Sequence, residues 1–337
     1  MGARPSPASS SPPAPRSTGP ARHRPARSAG LGFWVGAALL ACYAAAGVSA
    51  LFVFSPSLSQ LSRNLAWLPP SPSMRPSWAH PFGIMPAFGT DLLRALWQAT
   101  PWDLAIVSGI LSIDITLGFV LGGVAGLREG GLSDAVVVFV GDSVGAIPPF
   151  ILAVVLFAGV STLRPGPLSL PLFVVLFGLI LWPTLGRTVR ERARLVAHEP
   201  YVEAARASGA SSRHLLVRHI LPNSVGPVLA QVPLDVAPIF LVLSAFPWFY
   251  TCGGMIWPGP PPVPYVLPHL PAFSPLPSVA FPEWGFLLGV GTCVGFTIPG
   301  GISFWWTYLF PLLAIVVLGL AIGLVCDGID RARRFER

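Results

Sequence analysis

Lysine is absent from the 337 residues, and all 21 basic positions are arginine. That absence excludes a Walker-type phosphate loop and a Schiff-base enzyme from this chain, because each places a lysine amine on the reacting group. Charge of either sign is scarce: 10% of residues are charged against 53% hydrophobic, too apolar a balance for a soluble domain of this length. Cysteine is scarce as well, and its four positions lack the spacing of a metal site. Cys42 and Cys326 lie in apolar runs and read as small buried hydrophobes. Cys252 and Cys293 flank one stretch expected outside the membrane, so a disulfide and two free thiols both remain open. Six histidines are scattered; His214 and His219, five apart, would stand about 140° from each other on an α-helix, a poor shared metal face. There is no His-Glu-x-x-His, no nucleophile elbow and no glycine-rich dinucleotide loop. Neither a catalytic role nor a metal or cofactor bound by this chain is expected.

What is present is hydrophobic length. With a mean hydropathy of +0.67, the chain reads as an all-α, polytopic membrane protein of six transmembrane helices. Residues 1–30 hold five arginines and no acid, and are expected to be a disordered cytoplasmic tail. Residues 31–54 are 24 uncharged positions, long enough to span. Val48-Ser49-Ala50 resembles a signal cleavage site, but the run exceeds a signal core and continues past it, which favours an anchor. Residues 55–101 read as an extracytoplasmic connection with a short interfacial helix at Asp91–Trp97. A core domain, 102–330, then carries spans near 104–127, 135–160, 170–189, 224–248 and 305–325. Pro148-Pro149 should kink the third. Pro227, Pro233, Pro238 and Pro247 should bend or break the fifth. Trp305, Trp306 and Tyr308 read as an aromatic belt opening the last. Residues 251–283, with ten prolines between Pro258 and Pro282, form an extended insertion that cannot cross lipid. Residues 331–337 are a second cytoplasmic tail.

Asp114 in the second span and Asp235 in the fifth place acids at membrane depth. A charge at that depth costs about 2.5 to 3.5 kcal/mol on insertion scales, so each should face protein or water. Two readings stand: an aspartate hydrogen-bonded in the bundle interior, or a residue lining a substrate pathway. With both termini cytoplasmic, 17 of the 21 arginines fall on the cytoplasmic side, a strong positive-inside bias. Their clustering at the ends and in one loop points to membrane topology and lipid contact, not to nucleic acid.

The long polar stretch inside the apolar chain is Glu191–Asn223. Pro200 suits a first helical position, Glu203 complements the helix dipole and Gly209 suits a left-handed stop, so a helix is predicted over 200–208. A second piece should start with Ser211 or Ser212 as cap and run to Ile220, with Pro222 in the first turn of the next helix. Ala204, Ala205 and Ala207 would let another surface approach closely, flanked by Glu199, Glu203 and Arg206. Physics alone leaves a docking element and a solvated connector equally open.

The string Tyr201-Val-Glu-Ala-Ala-Arg-Ala-Ser-Gly-Ala-Ser211, closed by Arg218-His-Ile-Leu-Pro-Asn223, resembles the EAA signature of the permease subunits of binding-protein-dependent ABC importers, in their dipeptide/oligopeptide/nickel branch. Gly130-Gly131 with Asp134, Asp142 and Pro148, then Trp284-Gly285, Phe310-Pro311 and Asp327-Gly-Ile-Asp330, extend the likeness over residues 30–335. The chain departs from the family around Gly89-Thr-Asp91 and lacks a glutamate near the end of the fifth span. The resemblance implies a cytoplasmic loop whose short helix enters a cleft on an ATPase subunit. Glu199, Tyr201, Glu203, Ala204, Ala205, Arg206, Gly209 and Ala210 would form that contact. It further implies a heterodimer with a second homologous permease subunit, two ATPase subunits that hold the ATP and Mg, an extracytoplasmic substrate-binding protein, and a bacterial cytoplasmic membrane. The solute would be a peptide, nickel or another small molecule. The alternatives are a membrane scaffold that holds a partner by its arginine-rich loop, or a secondary carrier; the discriminating feature is the Glu203–Asn223 pattern, which a carrier has no reason to contain.

Overall fold

The computed structural model describes residues 30–53, 72–85, 89–153, 155–156, 170–256, 283–297 and 304–335. Helices α1 (Leu31–Val53), α2 (Leu92–Leu127), α3 (Leu132–Gly145), α4 (Leu170–Ala197), α5 (Pro200–Ala207), α6 (Ser212–Leu215), α7 (Val225–Ile256), α8 (Trp284–Thr297) and α9 (Trp305–Phe335) are accompanied by a hairpin of β1 (Ile84–Met85) and β2 (Thr90–Asp91). The strands are antiparallel, Ile84 opposite Asp91 and Met85 opposite Thr90.

Among the described residues five helices, α1, α2, α4, α7 and α9, are long and apolar enough to cross a membrane. The third expected span is not one continuous helix: α3 ends at Gly145, the chain turns through Ala146–Pro148, and helix resumes over 149–153. Pro148-Pro149 thus breaks the span instead of kinking it, since neither proline has an N–H to continue the ladder.

Three boundaries also move. The predicted interfacial helix and the last ten residues of the connection are the first turns of α2, which runs through Pro101. Burial of Leu92, Ala95, Leu96 and Ala99 along one face outweighs the lost proline hydrogen bond. Helix α4 continues eight residues past its expected end, carrying Arg190, Arg192 and Arg194 out of the apolar run. Helix α7 is helical throughout despite its four prolines. The N-terminal tail and residues 257–282 of the proline-rich insertion lie outside the described residues.

Glycine decides how α2 meets α4. Gly118, Gly122 and Gly126, four apart, place their bare backbone on Leu185, Gly186, Val189, Arg190 and Ala193. A Cβ on Gly126 would meet the Arg190 carbonyl oxygen at 2.5 Å, and one on Gly122 would overlap the Gly186 carbonyl oxygen. This small-xxx-small pattern lets two membrane helices pack backbone to backbone. Helix α1 lies on α9, where Tyr43 donates to the Ala314 carbonyl at 2.9 Å.

The hairpin clasps the end of the bundle opposite the polar loop. Gly83 takes φ +77°, the Phe82 ring stacks on Phe310 at 4.1 Å, and the Trp306 indole donates to the Ile84 carbonyl at 3.1 Å. Trp306 is fully buried, so of the expected aromatic belt this ring serves the core, while Trp305 is exposed.

Candidate functional site

The polar stretch folds into a compact unit below the bundle. Glu199, in extended conformation, precedes α5 with Pro200 in its first turn. The helix closes on Ser208 and Gly209, whose φ is +86°. The Ala210 N–H reaches the Ala205 carbonyl at 3.1 Å and the Gly209 N–H reaches the Arg206 carbonyl at 3.0 Å. These are the paired bonds of a Schellman stop, in which Gly209 supplies the left-handed residue and Ala205 meets Ala210. Ser211 then caps α6, accepting from the His214 N–H at 3.3 Å.

One residue seats the short helix. Val202 is fully buried against Ala193, Val196, Ala197, Leu215 and Ile220. Glu199, Tyr201, Glu203, Ala204, Arg206 and Gly209 are exposed, whereas Ala205 and Ala210 are half-buried and pack on the same small core. Ala205 and Ala210 therefore contribute to the seat more than to an open face. The side chains of Glu199, Glu203 and Arg206 make no ion pair within the described residues.

The seat itself is bolted by charge. Arg190 on α4 grips Asp134 of α3 with Nε at 2.6 Å and Nη2 at 3.0 Å, and the Gly130 N–H donates to the same carboxylate at 3.0 Å. The Arg190 guanidinium, first of several causes, holds the Asp134 carboxyl below its ordinary range. Glu129 pairs with Arg194 at 2.6 Å. At the far end, Arg192 and Arg333 donate to the carbonyls of Asn223 and Pro222 at 3.4 and 3.2 Å, tying the loop exit to α4 and α9.

His214 and His219 do come together, contrary to the α-helical expectation: their rings lie 5.7 Å apart, and the Tyr201 ring is 5.8 Å from His219. The cause is a π-helical segment at Leu216–Ile220, whose wider turn sets residues five apart above one another. The Asn223 amide links the group, donating to the His219 carbonyl at 2.7 Å and the Tyr201 hydroxyl at 3.2 Å.

Asp114 and Asp235, read separately from the sequence, are both buried, the first on α2 and the second on α7. Cys252 and Cys293 lie on α7 and α8, and their side chains are outside the described residues. An acidic pair, Asp103 and Glu283, escaped the sequence reading. Asp103 accepts from the Trp284 N–H at 3.0 Å, and Glu283 accepts from the Gly285 N–H at 2.6 Å, so both carboxylates hold the start of α8. Its only sequence signal is an acid immediately before Trp284-Gly285.

A bundle of long apolar helices with a short exposed helix at a polar end defines the described residues as those of a polytopic membrane protein. It belongs to the family described as binding-protein-dependent transport system inner membrane components, matched over residues 118–334. It is similar to a candidate peptide permease of Brucella ovis, 28% identical over 295 residues that cover 85% of this chain and 86% of that one. It is also similar to DdpC of Escherichia coli K12, a candidate D,D-dipeptide transport permease, 28% identical over 281 residues covering 83% and 80%. The chain is thus a multi-pass inner-membrane component of a transport system, with the all-helical architecture read from its sequence.

Proposed function

We propose that this chain forms half of the translocation path of an ATP-driven peptide importer. A second, homologous permease subunit completes the path, and two ATPase subunits hold ATP and Mg on the side of the polar loop. A binding protein delivers peptide at the opposite face. Both termini lie with the loop in the cytoplasm, in keeping with the arginine distribution. Peptide as the solute rests on what the relatives are named for.

The observation that carries the reading is the contrast within α5: Val202 is fully buried while Tyr201, Glu203, Ala204 and Arg206 are exposed. The helix is seated on the bundle, while the side chains of Glu203 and Arg206 on its outer face form no ion pair among the described residues. Such an element transmits motion. Nucleotide-driven closure of the ATPase pair would displace α5, and the buried seat would pass that displacement to α4 and α7. Only contacts that differ between the two states can drive the change.

Gentle solubilisation of the tagged chain, followed by mass spectrometry of what co-purifies, tests this reading. Wild type should bring down an ATPase and a second permease-like chain, and Glu203→Arg should lose the ATPase alone. A preparation without any ATPase, from a chain that is still folded, would overturn it.

A further inference from the structure

An ion pair stands on the outer face of the bundle, among side chains that suit lipid. Arg187 of α4 donates through Nη2 to the Asp142 carboxylate of α3 at 2.9 Å and to the Gly141 carbonyl at 3.4 Å. The two side chains are 55% and 59% exposed, and the α3 surface around them is apolar, with Val136, Phe139, Val140 and Ile147 all exposed. The pair is also deep. Gly186, next to Arg187, packs on Gly118 and Gly122 of α2, and α2 then runs uncharged to Leu127. At a rise of 1.5 Å per residue, that places Gly122 about 9 Å inside Arg128.

An arginine near the end of a membrane helix ordinarily turns its guanidinium toward the polar end. Arg187 does the reverse. Arg190 takes Asp134 near that end, whereas Arg187 reaches Asp142, about 12 Å further along α3. Glycine at 145 leaves the guanidinium room there, since a Cβ would lie 2.7 Å from Nη2. Beside the pair α3 stops, and the chain turns through exposed Ala146, Ile147 and Pro148. Pro148 and Pro149 bring no N–H to the carbonyls one turn earlier. At membrane depth, ionised side chains and non-helical backbone are tolerated inside protein or against a water-filled cavity. Both occur here, side by side, on a surface that the described residues leave uncovered. A second protein surface would have to strip water from the pair and from the carbonyls together, a desolvation that pairing often fails to offset. Water satisfies both at once.

We propose that the Arg187–Asp142 pair and the α3 break at Ala146–Pro148 line the aqueous translocation path, an inference that rests on the reading of this chain as half of an importer. The α3–α4 face is then the wall of the path, and it offers the passing solute one charge of each sign.

Thiol labelling in membrane vesicles from cells that express the whole transport system tests this, with serine in place of Cys42, Cys252, Cys293 and Cys326. Ser143→Cys and Thr184→Cys, exposed positions next to the pair, should react with a membrane-impermeant cationic methanethiosulfonate present on both sides. Their rate should approach that of Ser212→Cys in the exposed loop. Val316→Cys, exposed on the apolar α9, should react about 100-fold more slowly, the penalty for a charge in lipid on insertion scales. If the serine background fails to insert, the same replacements are made in the wild type and its own labelling rate is subtracted. Labelling at both positions as slow as at Val316→Cys overturns the proposal. A lipophilic maleimide then identifies what covers the face: reaction places it against lipid, and exclusion places it against the second subunit. Co-purification of the ATPase is scored on the same membranes. With the ATPase present, unreactive cysteines sink this inference and leave the importer reading standing; a folded chain without the ATPase removes the reading on which the inference rests.

Discussion

Gly209 is the position where one side chain would change the polar loop most. Its φ of +86° lies where any Cβ costs roughly 1 kcal/mol or more, although no neighbouring atom would crowd it. Gly209→Val should therefore insert normally but lose the Schellman stop, and substrate uptake should fall several-fold at unchanged membrane abundance. Normal uptake by that variant would count against α5 as the coupling element. Asp134 is the second such residue. Its side chain is 8% exposed and its partner Arg190 19%, so the pair is largely out of water. Asp134→Asn should lower stability by about 1.5 to 3 kcal/mol, the usual worth of a charged hydrogen bond, seen as a lower midpoint of thermal unfolding in detergent. Because the folded carboxyl titrates below its unfolded value, its contribution is complete above the ordinary carboxylate range. It declines as pH falls from there through the depressed folded value. The gap between wild type and Asp134→Asn should accordingly be full at neutral pH and close in strong acid.

Among elements, the α2–α4 pair depends on backbone contact. Leucine at Gly122 would drive its side chain into the Gly186 carbonyl and the Val189 side chain. Gly122→Leu should separate α2 from α4, and with them Gly118 and Gly126, at the cost of overpacking, typically about 1 to 3 kcal/mol. The expected readout is loss of the folded, monodisperse chain on size exclusion at a temperature where wild type survives. The same substitution at Gly319, which has open space around its Cβ position, should be tolerated. Helix α5 shows the opposite economy, since eight residues rest on a single fully buried valine.

For the whole molecule, the distribution of arginine makes a topological prediction. Trypsin can cut this chain only after arginine, because lysine is absent. In inverted membrane vesicles it should cleave between Arg206 and Arg218 and within the N-terminal tail, and in right-side-out vesicles it should spare both. Cleavage of the loop from the outside would reverse the orientation assigned to the docking unit.

Much of this architecture was legible along the chain because it rests on local chemistry. Uninterrupted apolar length marks spans, and the helix expected over 200–208 spans Pro200–Ala207, opening at the proline and stopping before the left-handed Gly209. Where local and tertiary forces competed, the local reading failed. Pro101 did not stop α2, because burial of the preceding face outweighed one hydrogen bond, and Pro148-Pro149 did more than kink the third span. Alanines judged open by size turned out to be divided between seat and surface, which depends on the direction each takes from α5. The sequence by itself determined the class of protein, most of the long apolar helices and the short helix that opens at Pro200, since composition, run length and turn chemistry act over a few residues. Only the tertiary structure decided that His214 meets His219 across a π-helical turn and that Asp103 and Glu283 hold the start of α8. Those pairings are set by how helices distant in sequence cross, or by a change of helical pitch, and neither is written in the periodicity of a single segment.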